Sequence, residues 1–104
     1  MATYIILCRY SEQGREWIAQ GQSDQDTATK IAEEVGAQLE HSWLTTGEYD
    51  MVVVITCDSH AQALSFSVAF GSVAGAATTT LAGEAGLDRV YREATRAYQA
   101  HTRH

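Results

Sequence analysis

The run Gly47-Glu48-Tyr49-Asp50-Met51-Val52-Val53-Val54-Ile55-Thr56 joins a turn to a strand. Thr46-Gly47-Glu48 has hairpin-turn chemistry, and the β-branched residues from Tyr49 onward suit a pleated strand. Met51 to Ile55 are apolar without interruption. A strand with one wet face would alternate instead. Just upstream, Ala37 to Thr45 does alternate, with Leu39, His41 and Trp43 set against Gln38, Glu40 and Ser42. That reads as a half-buried strand near an edge, and the two runs together read as a hairpin.

Strands and helices flank the hairpin on either side, with no internal sequence repeat. Thr3 to Tyr10 is a strand by composition, and Ser11-Glu12-Gln13-Gly14 interrupts it before a short helical turn over Arg15 to Gly21. A firmer helix follows. Ser23 caps it, Asp24 and Asp26 suit its dipole, and Ala28, Ile31, Ala32 and Val35 recur with helical spacing up to Gly36. Beyond the hairpin, Asp58-Ser59 opens a second helix reaching about Gly71, with Ser59 and Gln62 at capping-box spacing. Ala77 to Ala82 is a weaker fourth strand.

The order is βαββαβ, which predicts an α+β, ferredoxin-like fold with a four-stranded antiparallel sheet. Right-handed crossovers place the first strand at the centre, beside the third and fourth. A further helix is expected from Leu87, with Leu87, Val90, Tyr91, Ala94 and Tyr98 as its apolar stripe and Arg89, Arg92 and Arg96 on its polar side. The chain thus divides into a domain over residues 1–83 and a helical extension over 84–104.

In this plan both crossover helices cover the same face of the sheet. The first and third strands are nevertheless apolar on both: Ile5 and Leu7 against Ile6 and Cys8, Val52 and Val54 against Val53 and Ile55. Left open, the second face would be a larger apolar patch than soluble monomers usually carry. A second copy's sheet is the simplest cover, which makes the chain a homodimer or higher oligomer. The second helix shows two stripes, one of Ala61, Leu64 and Val68 and one of Phe66, Phe70 and Val73. The second either completes a wide core face or meets the C-terminal helix or a neighbouring chain.

Composition bounds the rest. The chain has 104 residues, enough for one core, with 45% hydrophobic and 19% charged side chains. Seven Lys plus Arg against thirteen Asp plus Glu give a net charge of −6, which argues against a nucleic-acid partner. Residues 11–50 hold nine acids and two bases, whereas residues 86–104 hold two acids and four arginines. No apolar stretch approaches the roughly 20 residues of a membrane span. The N-terminus lacks a basic leader, so no membrane partner is expected and a cytoplasmic location is. Cys8 and Cys57 fall late in antiparallel strands, hence at opposite ends of the sheet, and read as small buried hydrophobes rather than a disulfide.

Three segments resemble the GYD domain family: the signature Gly47-Glu48-Tyr49-Asp50, the opening Ala2-Thr3-Tyr4-Ile5-Ile6-Leu7-Cys8-Arg9-Tyr10-Ser11, and Ala69-Phe70-Gly71-Ser72-Val73-Ala74-Gly75. They occur in the family's order between Met1 and about Ala82. The resemblance implies a ferredoxin-like chain that associates as a dimeric α/β barrel, and it implies no activity.

Topology gathers Arg9 and Tyr10, the turn before the third strand and the end of the second helix at one end of the sheet. Arg9, Tyr49 and Asp50 are therefore candidate ligand-binding residues, with an Arg9–Asp50 ion pair as one arrangement. Each also has a structural reading: Gly47 for an unusual backbone conformation, Asp50 as acceptor of turn N–H groups, Tyr49 as a packing residue. His41, Trp43 and Tyr4 are candidates for lining a cavity between sheets. Trp17 caps the sheet or a pocket entrance, or packs in the core. His101 and His104 have helical spacing at a chain end, where fraying outweighs metal binding. No metal site, cofactor motif, phosphate loop or nucleophile elbow is present. Small-ligand binding by a homo-oligomer ranks ahead of the alternative, a cofactor-independent oxygenase or isomerase acting on a small hydrophobic or aromatic metabolite. RNA binding on the open sheet ranks last, because the chain is net acidic and lacks a combined aromatic-plus-basic strand signature.

Overall fold

The computed structural model describes residues 1–21, 24–84 and 86–102. Its elements run β1 (Ala2–Tyr10), α1 (Glu12–Ala19), α2 (Asp24–Glu34), β2 (Gln38–Leu44), β3 (Met51–Cys57), α3 (His60–Ala74), β4 (Ala76–Gly83) and α4 (Leu87–His101). The strands form one sheet in the order β2-β3-β1-β4, with every neighbouring pair antiparallel. This is the ferredoxin-like α+β arrangement that the element order predicts.

Strand alternation builds the core. Tyr4, Ile6, Cys8 and Tyr10 of β1 and Met51, Val53, Ile55 and Cys57 of β3 are buried beneath the helices. Ala28, Ile31 and Ala32 of α2 and Ala63, Phe66 and Phe70 of α3 close over them. Phe66 and Phe70 stack with ring centroids 5.6 Å apart. The stripe of α3 that enters the core is therefore the phenylalanine one, while Val73, Leu64 and Val68 remain exposed. The capping box forms as expected: Ser59 Oγ accepts the Gln62 N–H, and Gln62 Oε1 accepts the Ser59 N–H. Cys8 pairs with Met51 and Ala2 with Cys57, so the two cysteines, which form no disulfide, are separated by about 20 Å of strand.

Two local features depart from the sequence reading. The first helix starts at Glu12 rather than Arg15, because Ser11 caps it by accepting the Gly14 N–H at 3.1 Å. Gly14 acts there as a spacer and not as a breaker. A Cβ on it would lie 2.5 Å from the Gly75 carbonyl oxygen and 2.7 Å from that of Ala74, so only glycine lets α1 rest on the end of α3. The Ser23 cap lies outside the described residues.

The second departure is in β2. Its pairing with β3 slips between Leu39 and His41, leaving Glu40 as a bulge. Leu39 opposes the buried Ile55 on the helix side, but His41 and Trp43 oppose Val54 and Val52. The predicted shared face of Leu39, His41 and Trp43 is thus split: the extra residue turns the last two onto the open side of the sheet.

Candidate functional site

At the hairpin end, the turn signature is tied to both neighbouring strands. Gly47 has φ +109°, a conformation that side-chain-bearing residues rarely adopt. The Asp50 N–H donates to the Cys8 carbonyl at 2.8 Å, and Asp50 Oδ2 accepts the Tyr10 N–H at 2.9 Å. Asp50 therefore continues the ladder by one side-chain rung after its regular pairs end. Thr45 closes the hairpin from the other side, its N–H donating to the Asp50 carbonyl and its hydroxyl to that of Tyr49.

The charges pair differently from the sequence expectation. Arg9 Nε donates to the Glu48 carbonyl at 3.0 Å and Arg9 Nη2 to Glu48 Oε1 at 3.1 Å. The same guanidinium stands 5.5 Å from the Tyr49 ring centroid. Asp50 instead faces Arg15 of α1, 3.6 Å from its guanidinium. The carboxylate of Asp50 points to the helix side of the hairpin, which is why Arg15 and not Arg9 meets it.

Between α1 and the hairpin lies an open cleft of about 230 Å³, lined by Tyr10, Arg15, Ile18, Leu44, Thr45 and Asp50. Apolar walls with one carboxylate and one guanidinium at the rim suit a small molecule having an apolar body and a polar end. Arg15, Ile18, Leu44 and Thr45 escaped the sequence reading because they come from separate elements with no shared motif. The one hint was Leu44, an apolar residue at the end of an edge strand.

The open face of the sheet is the second candidate. Cross-strand pairing sets Trp43, Val52, Leu7 and Thr79 in one row and His41, Val54, Ile5 and Leu81 in the next. His41 and Trp43 stack with centroids 5.1 Å apart and planes 12° from parallel. Trp43 is 51% exposed and Leu81 44%. Tyr4 faces the other way, buried under the helices with its ring 5.5 Å from that of His60. It shares no face with His41 and Trp43. Trp17 lies over the end of α3, where a Cβ on Gly75 would come within 3.1 Å of its ring.

Among the described residues, no group of three His, Cys, Asp or Glu side chains converges to hold a metal ion, and no helix is long and apolar enough to cross a membrane. His104 lies outside the described residues.

Among the solved structures that share the fold are two at low identity. One is a crystal structure of FFRP-DM1, with TM-score 0.55 and 18% identity over 81% of this chain and all of that one. The other is a hypothetical protein, PHS023, from Pyrococcus horikoshii, with TM-score 0.52 and 16% identity over 81% of this chain and 90% of that one. No curated protein matches the chain. The model of the GYD domain matches residues 4–85, a span that begins in β1, holds the Gly47–Asp50 turn and stops just short of α4. The chain belongs to the GYD domain family.

Proposed function

We propose that the chain is a non-enzymatic homo-oligomer that pairs its open sheet faces, forming a dimeric α/β barrel, and takes up a small molecule. The observation that carries this reading is the uncovered apolar face of Ile5, Leu7, Val52, Val54, Leu81 and Trp43. Such a face costs roughly 25 cal/mol per Å² of apolar area while it stays in water. A two-fold copy of the same face removes it, since an isologous contact needs only self-complementarity. The ligand site is either the space between the sheets, beside the His41–Trp43 stack, or the cleft at Asp50.

Light scattering on the dilute protein tests the assembly. The expected mass is at least twice that of the chain, and Val54→Arg should halve it without loss of far-ultraviolet dichroism. A wild-type monomer would overturn the reading. Native mass spectrometry of freshly purified protein tests for a retained small molecule.

A second reading rests on His41, an imidazole set beside Val54 and Ile5 on the open face, where it can relay a proton to a bound metabolite. A cofactor-independent oxygenase or isomerase would lose turnover in His41→Ala, while a binder would lose only affinity.

A further inference from the structure

Helix α3 is apolar nearly all round. From His60 to Ala74 it contains no Asp, Glu, Lys or Arg. Its inner side, Ala63, Phe66, Ser67, Phe70 and Ala74, is buried. Its outer side presents Ala61, Leu64, Ser65, Val68 and Ser72 to water, with Leu64 45% and Val68 69% exposed. A surface helix ordinarily carries charge on its outer side, and a helix without it belongs in an interior.

Helix α4 has the opposite defect. It is strongly amphipathic in sequence, yet none of its residues is buried, and Leu87, Val90, Tyr91 and Tyr98 are exposed. Gly86 offers it no side-chain cap. A solitary helix of this length is marginal in water. It also stands away from the body of the chain: the radius of gyration is 16.9 Å with a long axis of 61 Å, against about 13 Å for a compact chain of this length.

The two orphan surfaces match. Both helices have 15 residues and run about 22 Å. On α3, Ser65 and Ser72 are small and seven residues apart, leaving gaps beside Leu64 and Val68. On α4, Tyr91 and Tyr98 are also seven apart, so one register seats both rings in those gaps as ridges enter grooves. The arginines Arg89, Arg92 and Arg96 lie on the far side of α4 and stay in water, where Arg89 already pairs with Glu93 at 3.8 Å.

We infer that α4 of one copy docks on the outer side of α3 of another copy, in a reciprocal exchange. A second copy is the chosen occupant because every copy carries both halves of the contact, the exposed apolar stripe of α4 and the uncharged, exposed outer side of α3, and because the contact leaves the arginines of α4 facing water. The contact uses none of the open sheet face and stands apart from the sheet pairing proposed above.

Cysteine cross-linking tests it. Chains carrying Ser65→Cys and isotopically labelled chains carrying Tyr91→Cys are refolded together and oxidised, with buried Cys8 and Cys57 as unreactive background. A disulfide between labelled and unlabelled chains is expected, and it should persist in the Val54→Arg background that breaks sheet pairing. Closure within a doubly substituted chain in dilute solution, or no cross-link in either format, would overturn the inference. Hydrogen exchange supplies a check free of introduced thiols: amides of residues 87–101 should be protected in the wild type and lose that protection in Leu64→Glu. Equal exchange in both proteins counts against the docking. So does sedimentation with phosphatidylserine vesicles that requires α4, which would assign the stripe to lipid.

Discussion

The Tyr10 N–H donates to Asp50 Oδ2 at 2.9 Å while the Asp50 N–H donates to the Cys8 carbonyl at 2.8 Å. One residue thus uses its backbone and its side chain on successive rungs of the same neighbour. The aspartate of the family signature has a structural task here, whatever else it does.

Replacing Asp50 by Ala removes the side-chain rung and leaves the part-buried Tyr10 N–H without this acceptor. The expected loss is about 1–3 kcal/mol, the range for removing one partner of a hydrogen bond to a charged group. For a domain of this size that lowers the melting temperature by several degrees, about 4–8 °C per kcal/mol. Calorimetry at fixed protein concentration measures it, and an unchanged transition would show that the rung contributes nothing.

Gly14→Ala separates helix propensity from packing. Propensity alone predicts stabilisation, because alanine is the better helix former by about 0.8–1.0 kcal/mol. The carbonyls of Gly75 and Ala74, 2.5 and 2.7 Å from the new Cβ, predict the reverse. Overpacking of this kind costs about 1–3 kcal/mol. The midpoint of urea unfolding should fall, and a rise would mean that α1 is free to move off α3.

Gly47→Ala isolates backbone strain, because nothing lies within 4 Å of the added Cβ. At φ +109° an alanine is strained by about 1–3 kcal/mol. Destabilisation without a clash is the expected result. If stability is unaffected, the turn has relaxed to another conformation, which the Arg9–Glu48 contacts would register as changed chemical shifts.

The cysteines give a test of strand order. With Cys8 and Cys57 buried at opposite ends of β1 and β3, air oxidation should leave the mass unchanged, and both thiols should react with a thiol reagent only on unfolding. An intramolecular disulfide would contradict the antiparallel register.

Much of this fold is written in local pattern. The capping box of Ser59 and Gln62, the helical spacing of Ala28, Ile31 and Ala32, and the two-faced runs of β1 and β3 are each short-range signals whose physical cause lies within a few residues. What escaped is set at long range. Gly14 looks like a breaker until the carbonyls of Ala74 and Gly75, some sixty residues later, require a side chain of no size. Arg15 carries no motif, and only the folded hairpin brings it to Asp50. The Glu40 bulge is likewise invisible, because the alternation of Leu39, His41 and Trp43 is regular in sequence and broken only by the pairing with β3.

That bulge works as a parity bit. Every side chain after Glu40 in β2 has its face assigned by whether one residue is counted or skipped. Were Glu40 paired in the ladder rather than skipped, His41 and Trp43 would go under the helices and Ser42 and Leu44 onto the open sheet, with no letter of the strand altered. Deleting Glu40, by contrast, would only straighten the strand and keep the present pairs. Two relatives alike along this strand but differing in whether that residue is paired would align perfectly while presenting different surfaces to a partner or a ligand. Comparison of binding across the family must therefore be read from strand register, position by position, and not from the identity of the residues in the column.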